Sequence, residues 1–157
     1  SVDASSTYLD WAIKNMEMNG FDGMNHFFYK EDCIDWLRST HDMYDLIFCD
    51  PPTFSNSKMR RTFDVDRDQT RLIHAAMRHL AQDGTMIFST NFRKFSLDPE
   101  ISEEYEVEEI TPQTIGEDFF RDQKIHYCWI IKHRKAIVRM QRRDLDKPIR
   151  KVVRKKA

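Results

Sequence analysis

Glycine is scarce in this chain, with four in 157 residues, at positions 20, 23, 84 and 116. They never cluster, which excludes a glycine-rich loop of the kind that lays backbone N–H groups around a phosphate. Cysteine is nearly as sparse. Cys33, Cys49 and Cys128 are odd in number and far apart, so neither a disulfide framework nor zinc spacing is present, and a reducing, cytoplasmic setting fits best. The six histidines are scattered singly, without a carboxylate or cysteine at ligand spacing, and imply no metal. No long apolar run offers a membrane span, and no signal peptide is present. What remains reads as one soluble domain by length.

The net charge of -1 conceals a division. From Lys132 to Ala157 there are twelve Lys or Arg against Asp144 and Asp146, whereas the preceding residues hold thirteen basic and twenty-four acidic side chains. Residues 1–133 read as the folded domain and 134–157 as a basic C-terminal tail. Such a tail is a solvated extension, a polyanion-binding arm, or both.

The body has a repeating order. Val2-Asp3 ends a strand; Ser5-Ser6-Thr7 then offers caps to a helix with Leu9, Ile13 and Met16 at helical spacing, closed by Asn19-Gly20. Asn25 to Lys30, centred on His26-Phe27-Phe28-Tyr29, favours a strand, and Asp32 stands where it gives way to a short helix from Ile34 to Arg38. Two acids thus follow two strands about thirty residues apart, the period of a βαβ unit. Tyr44 to Cys49 predicts a buried strand of a parallel sheet, stopped abruptly by Pro51 and Pro52, which remove two ladder donors. Asp66 to Gln82 predicts a helix ended by Asp83-Gly84, and Thr85 to Ser89 a further strand. Tyr105 to Ile110 and Ile125 to Lys132, with loop or short helix between them, predict an antiparallel hairpin that closes the sheet.

In open α/β sheets ligands bind outside the carboxyl ends of the strands, and the residue before a proline is held extended. Asp50 is therefore presented outward at such an end. Asp50-Pro51-Pro52-Thr53-Phe54 after a strand resembles the fourth motif of class I S-adenosylmethionine-dependent methyltransferases, which have a Rossmann-like α/β fold. The continuation Ser55-Asn56-Ser57-Lys58, the opening Ser1-Val2-Asp3-Ala4-Ser5-Ser6-Thr7-Tyr8-Leu9-Asp10-Trp11, and Gln123-Lys124-Ile125-His126-Tyr127-Cys128-Trp129 narrow the match. Over roughly residues 1 to 131 the chain resembles the C-terminal, guanine-N7 methylating half of the bifunctional 23S rRNA methyltransferase K/L family.

The resemblance implies S-adenosylmethionine as cofactor and 23S rRNA, or a large-subunit precursor, as partner. It implies that Asp3 accepts from the ribose hydroxyls, and that Asp32 and Cys33 meet the adenine. The same residues have plainer readings, Asp3 as a helix N-terminal charge and Asp32 as a cap. Asp50, Pro51, Pro52 and Phe54 would form the base pocket, with Asp50 contacting guanine N1-H or its amine, or the cofactor's amino group. Phe54 would stack on the base or else pack under the loop. Ser55, Asn56 and Ser57 suit base edges, Lys58, Arg60 and Arg61 suit phosphates, and Asn91 faces the same crevice. Ser89-Thr90-Asn91 lacks the cysteine that cytosine-C5 chemistry uses, and Cys49 alternates toward the core.

In this family a first strand and Gly-rich loop precede the strand ending in Asp3. The sequence offers neither, so the expected fold is partial, cofactor binding by this chain is expected to be weak or absent, and an upstream domain of the same polypeptide is implied. Two alternatives stay open at this point: a non-catalytic RNA-binding remnant, and a nucleic-acid methyltransferase acting on an amino nitrogen.

Overall fold

The first acid-terminated strand, β1 (Val2–Asp3), passes directly into α1 (Ser6–Met18). Ser5 is extended and its Oγ accepts the Tyr8 N–H at 3.4 Å, satisfying one of the helix's orphan donors. Asn19 caps the other end, followed by Gly20 at φ 74°. In this computed structural model residues 1–135 are described, apart from 22, 24, 56–61 and 120; residues 136–157 are outside the description. Asn56, Ser57, Lys58, Arg60 and Arg61, and nearly all of the basic tail, therefore lie outside the described residues.

The second strand is shorter than its composition predicts. Only β2 (Tyr29–Lys30) pairs, in parallel with β1, because β1 offers no more than Val2 and Asp3 as partners. Phe27 lies outside the ladder, its side chain 63% exposed and its carbonyl accepting from the Ser1 ammonium at 2.7 Å. Asp32 then caps α2 (Cys33–Ser39).

Four further strands form a separate sheet in the order β3-β6-β8-β7. The strand β3 (Tyr44–Cys49) runs parallel to β6 (Leu80–Thr90), and β6 and β7 (Glu106–Glu109) both run antiparallel to β8 (Tyr127–Lys132). The antiparallel closure over the last two strands matches the sequence reading. Between β3 and β6 lie a short hairpin, β4 (Phe54–Ser55) with β5 (Phe63–Asp64), and the helix α3 (Val65–Met77). After β6 come α4 (Pro99–Glu104) and, beyond β7, α5 (Thr111–Thr114).

One face of this sheet carries the core. Met86 and Phe88 of β6 and Trp129 and Ile131 of β8 pack with Val65, Ile73, Ala76 and Met77 of α3 and with Phe95, Ile101 and Tyr105. The Phe88, Phe95 and Trp129 rings meet at centroid distances of 5.3 to 6.0 Å, the tilted geometry that aromatic quadrupoles favour. The other face is more open. Phe48 pairs with Ile87, and Ile87 with Ile130, yet Leu46 is 61% and Phe48 66% exposed. The strand from Tyr44 to Cys49 is thus only partly buried, at Tyr44, Ile47 and Cys49, of which Ile47 and Cys49 pack against the core, and not on both faces as a parallel-sheet interior predicts.

The helix predicted over Asp66 to Gln82 ends earlier. Asp64 caps it, Oδ1 accepting from the Asp66 and Arg67 N–H groups at 3.0 and 3.2 Å, and it stops at Met77, so Leu80 opens β6 instead of closing the helix. Leu80 faces the core from either structure, which is why its helical spacing misled. Gly84 is not a helix terminator but a strand residue at a register irregularity, where Tyr44 pairs with Leu80 and Leu46 with Thr85. A Cβ there would stand 2.9 Å from the Ala81 carbonyl oxygen and 3.0 Å from that of Asp45. Gly84→Ala should cost about 1–3 kcal/mol by overpacking against backbone; an unchanged urea midpoint would show that the strands separate freely here.

Candidate cofactor and base site

Acids follow three strands, as the sequence predicts. Asp3 ends β1, half-buried, and its Oδ1 accepts the Ser5 N–H at 2.7 Å. Asp32 follows β2, and its Oδ1 accepts the Ile34 and Asp35 N–H groups at 3.0 and 3.2 Å. The capping alternative for Asp32 is therefore realised. Each carboxylate retains a second oxygen to which no hydrogen bond from the described residues is recorded.

Cys33 joins the two acids. Its Sγ lies 3.6 Å from the Val2 carbonyl oxygen, and partial desolvation with the charges of Asp32 and Asp3 raises its thiol above the ordinary value. Burial, followed by the influence of Cys33 and Asp50, pushes the Cys49 thiol up to about 12. These mutual influences make the Asp3, Asp32 and Cys33 cluster a neighbour of the carboxyl end of β3. Burial raises the Cys128 thiol as well, so all three cysteines are neutral thiols near pH 7 and none is a ready nucleophile.

At the end of β3 two cross-strand ties fix the loop. The ladder pairs Cys49 with Phe88, which makes Asp50 and Ser89 the next neighbours. With the two prolines ending the ladder, a side-chain bond follows it: Ser89 Oγ donates to Asp50 Oδ1 at 2.7 Å. One turn of the loop further on, Thr53 Oγ1 donates to Asn91 Oδ1 at 2.8 Å. Asn91, expected to face the crevice, thus sits against the Asp-Pro-Pro loop. Pro51 is half-buried and Pro52 exposed.

Phe54 is 54% exposed, in β4, where it pairs with Asp64. Ser55 is exposed beside it, paired with Phe63. The polar and basic residues expected to follow, Asn56 to Arg61, are those outside the described set. Beyond Asn91, Arg93 is engaged by the Asp122 carboxylate at 2.6 and 2.8 Å, and the Tyr127 hydroxyl donates to the Arg93 carbonyl at 3.2 Å.

The roles of Thr53 and Ser89 were not read from the sequence. For Ser89 a signal exists, since a parallel register places the last residue of one run beside the last of its neighbour. For Thr53 none does, because its partner is 38 residues away in a loop.

No protein-family model matches the chain. Curated relatives do. The chain is 53% identical over 138 residues to the ribosomal RNA large subunit methyltransferase K/L of Acinetobacter baumannii strain ACICU. It is 54% identical over 135 residues to that of Pseudomonas savastanoi pv. phaseolicola and 51% over 130 residues to that of Desulfotalea psychrophila. These matches take in 82 to 85% of this chain but only 18 to 19% of the relatives' own length. Among solved structures, a protein described as a methyltransferase and complexed with SAH superposes at TM-score 0.64 with 24% identity, covering 83% of this chain and 37% of that one. An S-adenosylmethionine-dependent methyltransferase from Agrobacterium tumefaciens superposes at 0.65 with 14% identity, covering 84% and 47%. The fold is therefore that of the class I S-adenosylmethionine-dependent methyltransferases.

Proposed function

We propose that this chain, which has the class I methyltransferase fold and is similar over most of its length to part of the K/L rRNA methyltransferases, is the portion of an rRNA methyltransferase that holds the cofactor's adenosine end and the target base. The base is guanine of 23S rRNA, methylated at N7, and the setting is the cytoplasm. Among the described residues no helix is long and apolar enough to cross a membrane. The observation that carries the reading is the double tie of Asp50 to Ser89 and Thr53 to Asn91, which fixes the loop leading to an exposed aromatic, Phe54, at the carboxyl end of β3.

The residues present fit the adenosine half of the cofactor. Asp3 and Asp32 each have an oxygen without a recorded partner, suited to ribose hydroxyls and the exocyclic adenine amine, and Cys33 brings its backbone N–H beside them. When bound, S-adenosylmethionine supplies an electrophilic methyl group on a sulfonium. Guanine N7 carries an in-plane lone pair and no proton, so the chain's residues need not remove one. Orientation and exclusion of water then dominate. Asp50 accepts from guanine N1-H or its amine, and Phe54 lends a π-face to the unstacked base. Lys58, Arg60, Arg61 and the basic tail add sequence-independent attraction for phosphates.

The remaining part of the cradle is supplied by the rest of a longer polypeptide. β1 pairs only with β2, and β3 only with β6, among the described residues. Between them is a groove of about 790 Å³, bordered by Ser1 and Tyr29 on one side and by Tyr44, Leu46 and Ile47 on the other. A strand placed in it would join the two sheets into one.

Mass mapping of 23S rRNA after reaction with the whole polypeptide tests the reading. A methyl group at guanine N7 supports it, and one on an exocyclic amine transfers the chain to the amino-nitrogen class. In the same assay Phe54→Ala should lower kcat/KM for RNA about tenfold, one stacking contact's worth, with the cofactor's Kd unaltered. Equal turnover by the variant would remove Phe54 from the base pocket.

A further inference from the structure

We propose that His74, Glu100 and Glu104 form a binding site for a zinc-type divalent cation that braces α4 against α3. In sequence His74 has no carboxylate at ligand spacing. The fold supplies two, and one ligand atom from each of the three side chains lies within 4.8 Å of the others. Glu100 and Glu104 are one turn apart on α4 and so share a face. His74 Nε2 is 3.4 Å from Glu100 Oε1, and His74 Nδ1 is 3.5 Å from Glu104 Oε2.

The imidazole is already oriented by another group. Its Nδ1 lies 2.9 Å from the hydroxyl of Tyr105, a residue that is 7% exposed. A phenol hydroxyl at this distance is placed to accept Nδ1–H. That tautomer leaves the Nε2 lone pair outward, the way an outer group fixes a ligating histidine. A neutral imidazole with two carboxylates and a water in the fourth position suits zinc better than calcium or magnesium, which take all-oxygen sets. Bonds of about 2.0–2.2 Å to a tetrahedral ion separate the ligand atoms by roughly 3.4 Å. The Nε2 to Glu100 spacing already matches. Glu104 must swing from the Nδ1 side, and its side chain is 54% exposed and has room to do so.

The test uses the 157-residue chain with Cys33→Ser, which removes the exposed thiol as a competing ligand. Stripped with chelator, it is titrated with zinc chloride and, separately, with cobalt chloride. One ion per chain is expected, with the intense visible bands of four-coordinate cobalt and a melting temperature raised by roughly 5 °C at saturating zinc. Glu100→Gln and His74→Gln should each weaken binding at least tenfold, whereas His41→Gln, at an exposed position away from the cluster, should leave the isotherm unchanged. Glu100 is exposed, so its variant keeps the apo melting temperature and the comparison stands even if His74→Gln loosens the fold. Zinc binding that survives both substitutions, or none below millimolar zinc, overturns the site.

Discussion

Titrated with S-adenosylmethionine, the 157-residue chain should, on the proposed reading, bind at least about a hundredfold more weakly than a longer polypeptide that adds a strand, loop and helix at its N-terminus. On that reading, Asp3, Asp32 and Cys33 supply contacts for the adenosine end alone. The methionine end carries an ammonium and a carboxylate, and two charge-assisted hydrogen bonds to them contribute about 1.5–3 kcal/mol each. At about 1.4 kcal/mol per decade, their absence is worth two orders of magnitude or more. Calorimetry on both chains measures it. Equal affinities would mean that residues 1–157 already hold the whole cofactor, and the proposed strand between β1 and β3 would be unnecessary.

Phe88→Ala should have the larger effect on stability. Phe88 has no exposed surface and touches Phe95 and Trp129 at the centre of the only large core among the described residues. Removing the ring leaves a cavity and costs about 3–5 kcal/mol. A single domain has only about 5–15 kcal/mol in all, so the variant should lose most of its near-ultraviolet dichroism and melt well below the parent. Because Ser89 follows Phe88 in the strand, the Ser89 tie to Asp50 should loosen with it. A variant with an unchanged melting temperature would show that the β6 and β8 face repacks without this ring.

What could be read from the sequence was what local chemistry dictates. Ser5 and Asp32 as caps, Asn19-Gly20 as a stop and the run from Tyr44 to Cys49 as a strand all depend on neighbours in the chain, and all are found. Errors arose where a distant segment decided. Residues 25–28 have strand composition but meet no partner strand among the described residues, and Leu80 fits a helical spacing while the close passage of Gly84 against Asp45 draws it into β6. The site divides in the same way. Asp3, Asp32, Asp50 and Phe54 were legible as strand-end residues, whereas Thr53 became visible only through its bond to Asn91, and the proximity of Glu100 and Glu104 to His74 only through the crossing of two helices.

The local bonds made by Asp3 and Asp32 have a consequence for recognition. Each carboxylate is already held by N–H groups of the turn that follows it, so its rotamer is chosen during folding and not when a ligand arrives. The entropy of ordering these side chains is absent from the binding free energy, a preorganisation that raises affinity without adding a contact. The same bonds leave one oxygen of each acid for a partner. Two donors at a fixed separation, as on a ribose or an adenine amine and its neighbour, match this rigid pair better than a flexible cation does.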